Sequence, residues 1–66
     1  MNEYGARVER GRVTEVTADG TRVESLEREG ITTPPIAVAQ WVTVAEGDRV
    51  YFFVFDDGGG MIFETF

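Results

Sequence analysis

Six consecutive apolar residues, Val50-Tyr51-Phe52-Phe53-Val54-Phe55, lie between two glycine-containing turns, Ala45-Glu46-Gly47-Asp48 and Asp56-Asp57-Gly58-Gly59-Gly60. A short run of β-branched and aromatic residues bounded by turn signals reads as a β-strand. Side chains alternate across a strand, so Val50, Phe52 and Val54 point one way while Tyr51, Phe53 and Phe55 point the other. The next segment repeats the pattern, with Ile62 on one parity and Met61 and Phe63 on the other. The whole chain has 66 residues, and a domain of that size buries only about 60% of the surface its unfolded form exposes. It cannot enclose both rows. Either another segment, Thr21–Glu29 or a terminus, covers the second face, or that face is a protein–protein interface. Contiguous exposed aromatics mark such interfaces, so Tyr51, Phe53, Phe55, Met61 and Phe63 are the candidate contact residues.

The remaining segments predict strands as well. Ala6–Ala18 carries Val8, Val13 and Val16; Gly11 and the three-residue spacing of Val13 and Val16 predict a bulged, strongly bent strand. Asp19-Gly20, flanked by Thr17 and Thr21, is a hairpin turn. Thr21–Glu29 allows two readings. Thr21 with Glu24 matches a helical capping box and Gly30 a helix stop. Against this, so short a helix with two apolar residues is weak alone, and the turn before it favours a returning strand. The strand is the expectation. Pro34 and Pro35 place Ile31–Pro35 at an edge or crossover. A third strand is expected over 35–44, with Ile36 and Val38 on one face and Ala37, Ala39 and Trp41 on the other. The fourth and fifth are expected over 49–56 and 61–66. Five short strands with turns about every ten residues, and no helix, predict one all-β domain over residues 1–66. A small five-stranded barrel is expected, OB-like, with an SH3-like barrel second.

Composition limits the chemistry. Cysteine and histidine are absent, which removes disulfides and every metal or haem site built on those residues. For a domain this small, association is the remaining means of stabilisation. Ser25 is the only serine, and with neither His nor Lys it lacks a conventional activating base. The acidic pairs Asp56 with Asp57 and Glu46 with Asp48 lie in turns that favour Asp and Gly for backbone reasons. Two adjacent carboxylates fall short of the six to eight oxygens calcium takes. The triple glycine is followed by neither Lys nor a helix, so it is no phosphate loop. No catalytic residue, metal or cofactor is expected, and the protein is read as a non-enzyme.

Twelve Asp and Glu against six Arg give a formal charge of −6, which repels phosphate backbones. Arg7, Arg10 and Arg12 cluster near the N-terminus, but Glu3, Glu9 and Glu15 interleave with them, as on a mixed, solvated strand face. Base stacking on an aromatic barrel face is the alternative function. It calls for arginines among the aromatics, and Arg49 is the only one in the last eighteen residues. A third reading, an acidic inhibitor of a basic partner, has net charge alone in its favour. No apolar run approaches a membrane span, and Met1–Gly5 lacks the features of a signal peptide. A soluble, cytoplasmic chain is expected.

Several short motifs resemble one family. Gly11-Arg12-Val13-Thr14-Glu15-Val16, followed by Thr21-Arg22-Val23, is similar to the opening hairpin of OB-fold domains in phage baseplate and tail-spike proteins. Thr32-Thr33-Pro34-Pro35-Ile36 resembles the stretch before that family's third strand, and Glu46-Gly47-Asp48-Arg49-Val50 resembles the turn that opens its fourth. Gly60-Met61-Ile62-Phe63 looks like its closing strand. The likeness spans residues 11 to 63. Members continue into a β-helical needle, whereas this sequence ends at Phe66. The resemblance therefore implies a lone OB module with an oligomeric, structural role and no catalysis, and a virion component if a phage encodes it.

Overall fold

The structure, a computed structural model, describes residues 6–66. The reading that interleaves Glu3 with the arginines lies outside them. Five strands follow one another: β1 (Ala6–Thr17), β2 (Gly20–Ser25), β3 (Ala37–Val38), β4 (Arg49–Phe55) and β5 (Gly60–Thr65). They form one sheet in the order β2-β1-β4-β5-β3. The β1–β2, β1–β4 and β4–β5 pairs are antiparallel, and β3–β5 is parallel.

The sheet curls so that its two ends meet. Thr21 and Ile36 exchange two backbone hydrogen bonds of 2.9 Å, and Thr33 N–H donates to Val23 O at 2.8 Å. The connection after β2 thus runs back along the free edge of β2 and closes a partly open barrel. Pro34 and Pro35, lacking N–H groups, interrupt this ladder between Thr33 and Ile36. Around the ring the order is β1, β2, β3, β5, β4. A parallel pair needs a crossover, which a simple antiparallel meander lacks. The barrel is therefore OB-like.

Local chemistry explains the boundaries. β1 makes sheet contacts with both β2 and β4, and its register against β2 slips between Val13 and Glu15, at the expected bulge. At the hairpin, Thr17 Oγ1 donates to Gly20 O at 2.8 Å and accepts from Asp19 N–H at 3.2 Å. Gly20 has φ +142°, and a β-carbon there would lie 2.8 Å from Ile36 O. Both facts require glycine.

Two of the expected strands are shorter than their sequence ranges. Segment 21–29 is a strand, not a helix, but it ends at Ser25. There Ser25 Oγ accepts from the N–H groups of Glu27 (3.1 Å) and Arg28 (3.0 Å) and turns the chain. The strand expected over 35–44 is reduced to Ala37–Val38, because Val42 N–H donates to Ala39 O and closes a turn over Gln40 and Trp41. Trp41 therefore leaves the sheet, and Ala39 is buried.

The core consists of Val13, Val23, Ile36, Val50, Phe52, Val54 and Ile62, with Val38, Val42 and Val44 packed against it. Phe52 is fully buried at its centre. Gly11 makes this possible. A β-carbon at Gly11 would clash with Val23 Cγ1 and lie 2.7 Å from Phe52 Cε1. Among the described residues no helix is long and apolar enough to cross a membrane.

Gly11→Ala should accordingly destabilise the domain by about 1–3 kcal/mol, the usual cost of overpacking a filled core. Urea unfolding curves measure this. A stability equal to wild type would mean that the Phe52 ring can move aside freely.

Candidate functional site

β4 divides the molecule. Its inward residues Val50, Phe52 and Val54 are buried, while Tyr51 and Phe53 are half-buried and Phe55 is exposed on the outer surface. The strands on either side extend that surface. Val8 of β1 pairs with Phe53, and Ala6 with Phe55. On β5, Met61 pairs with Phe53 and Glu64 with Tyr51, while Ile62 turns inward. The β4–β5 register slips between Tyr51 and Phe52, leaving Phe63 as the extra residue of a bulge. Its ring fills the space between the outer residues of β4.

The result is a continuous run of rings. Phe55 lies 6.5 Å from Phe53, Phe53 lies 4.5 Å from Phe63, and Phe63 lies 6.4 Å from Tyr51, centroid to centroid. Phe66 packs on Tyr51 at 4.7 Å, and the Arg49 guanidinium sits 5.3 Å from the Phe66 ring centre. All five sequence-derived candidates, Tyr51, Phe53, Phe55, Met61 and Phe63, thus share one outer face. Phe66 and Val8, 47% and 53% exposed, belong to it as well. Neither was singled out from the sequence, although Val8 has the outward parity opposite to that of Gly11 and Val13. Trp41, 73% exposed, stands at the β5 rim, where its indole N–H donates to Phe63 O at 3.0 Å. No periodicity points to it, since it is placed by a turn. Thr21–Glu29 does not cover the face, being used in β2 and the loop beyond it, on the far side of β1 from β4.

The other outer region, over β1 and β2, is charged and self-satisfied. Arg10 pairs with Glu27 at 2.8 Å, Arg12 with Glu24 at 3.1 Å, and Arg22 with Glu15 at 3.9 Å. Arg7 and Arg28 both contact Glu9, at 3.0 and 2.9 Å. An open cleft of about 300 Å³ lined by Arg12, Val13, Thr14, Glu46 and Gly47 adjoins this region, away from the aromatic face. Arg12 is already committed to Glu24, so the cleft offers no free cation.

Glu9 differs from the expected solvated face. It shares the inward parity of Gly11 and Val13 and is only 5% exposed. Burial pushes its carboxyl pKa up, but hydrogen bonds from Arg7, Ser25 and Arg28 outweigh this and hold it below the ordinary 4.5. Ser25 Oγ donates to Glu9 Oε1 at 2.9 Å while accepting two backbone N–H groups. The hydroxyl thus clasps the Glu9 carboxylate to the loop that leaves β2.

Among the described residues no three acidic side chains gather as a metal site. Asp57 Oδ1 instead accepts from Gly59 N–H at 2.8 Å, and Asp48 Oδ2 from Ala45 N–H at 2.9 Å. Both are turn-forming contacts. Compared with protein-family models, curated proteins and solved structures, the chain matches none.

A carboxylate whose folded pKa is depressed contributes stability above its unfolded pKa and loses it as pH falls through the folded value. Glu9 should therefore stabilise the fold at neutral pH, begin to lose that contribution as pH falls below about 4.5, the unfolded reference, and lose it fully only below its lower folded value. Glu9→Gln should cost about 1–3 kcal/mol at pH 7, the worth of charge-assisted hydrogen bonds whose arginine partners are partly solvated. The variant should also lose less stability than wild type on acidification from pH 6 to about pH 3. Denaturant curves across that range decide the point. Parallel pH profiles would remove Glu9 as the acid-sensitive group.

Proposed function

We propose that this domain is a non-enzymatic assembly module that joins a larger protein structure, or copies of itself, through the aromatic face of β4 and β5. The carrying observation is the division of β4: one apolar row is buried in the core, and the other lies outside with nothing described over most of it. Apolar area removed from water contributes about 25 cal/mol per Å² before association costs are subtracted. An exposed run of rings is therefore useful mainly where it is covered. The OB-like barrel is compatible with the resemblance to phage baseplate and tail-spike domains, and a tail or baseplate component is the specific form we propose.

No catalysis is proposed. The one serine is engaged in the Glu9 clasp, and the acidic side chains are spread over turns and ion pairs. Nucleic-acid binding, the alternative, is poorly supported. Five of the six arginines already contact carboxylates, and Arg49 covers Phe66. A groove that tracks phosphates needs available cations.

Phe52 and Phe53 are adjacent and should respond oppositely to charge. Phe52→Asp should unfold the domain, since an unpaired buried charge costs more than the few kcal/mol, roughly 3–10, that a chain this size holds in reserve. Phe53→Asp should keep its circular dichroism spectrum while wild-type association, read by sedimentation, is lost. If wild type is monomeric at high micromolar concentration and Phe53→Asp unfolds it, the outer row is core and the assembly reading fails. Sub-micromolar binding to single-stranded oligonucleotides that falls steeply with salt would favour the alternative instead.

A further inference from the structure

We infer that Trp41 guards an open sheet edge: its indole N–H takes the acceptor on β5 that a further strand would use, and so keeps other chains from extending the sheet there. The inference concerns the edge of β5 and is independent of what its outer face binds.

β3 pairs with β5 over Ala37 and Val38 only, and Ala39 N–H, donating to Ile62 O at 2.8 Å, closes that ladder. The chain then turns away over Gln40 and Trp41, while β5 runs on to Thr65. From Phe63 onward the side of β5 away from β4 has no neighbouring strand among the described residues. Such an edge presents unpaired N–H and C=O groups and templates pairing with another chain.

Here two of those groups are occupied by side chains. Trp41 Nε1 donates to Phe63 O at 3.0 Å, at the residue that the bulge leaves without a β4 partner. Phe66 N–H donates to Arg49 O, and bonded and unbonded pairs alternate along an antiparallel ladder. The adjoining Val50–Thr65 pair is therefore unbonded, and Thr65 N–H points to the open edge. It donates there to Glu64 Oε1 at 3.1 Å.

The sequence of this edge explains the need for a guard. Met61-Ile62-Phe63-Glu64-Thr65-Phe66 is rich in β-branched and aromatic residues, with one charge and neither Gly nor Pro. Segments of that composition stack readily into cross-β ladders. β1 carries Arg7, Glu9, Arg10, Arg12 and Glu15 instead, and charged edge strands resist such pairing. Exposure points the same way. Trp41 is 73% exposed, so its ring forgoes most of the stabilisation that burial would give. What its position secures is the bond to Phe63 O.

The test is a pair of variants followed during prolonged agitation at high micromolar concentration. Trp41→Phe keeps an aromatic ring and removes the N–H. Its circular dichroism spectrum and urea midpoint should match wild type, because the ring is already in solvent. Its lag before thioflavin T fluorescence and an intermolecular β-sheet infrared band appear should shorten about tenfold. Adding Thr65→Pro should return the lag to the wild-type length. Proline removes the Thr65 N–H, which no β4 group uses, and blocks an incoming ladder at an edge. It cannot restore lost stability, so an acceleration caused by unfolding would persist in the double variant. A Trp41→Phe lag equal to wild type overturns the inference, and so does a double variant that assembles as fast as the single one.

Discussion

Phe52 can occupy the centre of the barrel because Gly11 has no side chain. The ring lies where a β-carbon on β1 would stand, and Val23 of β2 closes the same space from the other side. Three strands are therefore held at a separation set by one aromatic ring and one missing methyl. The rest of the core is aliphatic, built from valines and isoleucines that leave no room for a second ring. Aromatic side chains normally supply much of a core's buried area. Here the described ones other than Phe52 lie outside the core, because the barrel is full once Phe52 is in place.

The outer surface is then divided by chemistry. Over β1 and β2 the arginines and glutamates neutralise one another in cross-strand pairs. Exposed pairs of this kind are each worth about 0–1 kcal/mol, so they add little to stability. Glu9 is the exception, because it is buried. Its two oxygens are occupied by Arg7, Arg28 and Ser25, and Ser25 in turn orders the loop that leaves β2. Over β4 and β5 the surface is apolar and flanked by only a few charges. One sheet thus carries a self-satisfied face and an unsatisfied one. Net charge alone, −6 over the chain, conceals this division.

Much of this was legible from residue order. Alternation in Val50–Phe55 and in Met61–Phe63 separated inward from outward residues, since strand parity survives any tertiary arrangement. Asp19-Gly20 placed the hairpin, and Gly11 with the irregular valine spacing placed the bulged strand. What parity could not reach was decided by individual hydrogen bonds outside the strand ladders. The ends of β2 and β3 depend on Ser25 Oγ and on the turn closed by Val42 N–H, and neither leaves a periodic trace. Glu9 reads as one of several interleaved acids unless its parity is matched to Gly11 and Val13, and its two arginines come from positions 7 and 28. Phe66 joins the aromatic face from a strand end and Trp41 reaches its rim from a turn, where alternation carries no information.

The aromatic face is also partly satisfied within the monomer, and this limits what it can do. Phe63 packs on Phe53, and Phe66 packs on Tyr51 under the Arg49 guanidinium. Area hidden by these contacts is already out of water before any partner arrives, so it adds nothing to association. The contacts also hold the rings in place, which lowers the side-chain entropy lost on docking, normally about 0.5–1.5 kcal/mol for each mobile side chain. Less driving force and less ordering cost together describe a surface that is pre-organised but weak. Such a surface acts effectively when a second connection holds copies close, because tethering raises the effective concentration to the millimolar range. On the assembly reading proposed above, contact by a lone barrel and contact inside a larger structure would be the same contact at two effective concentrations.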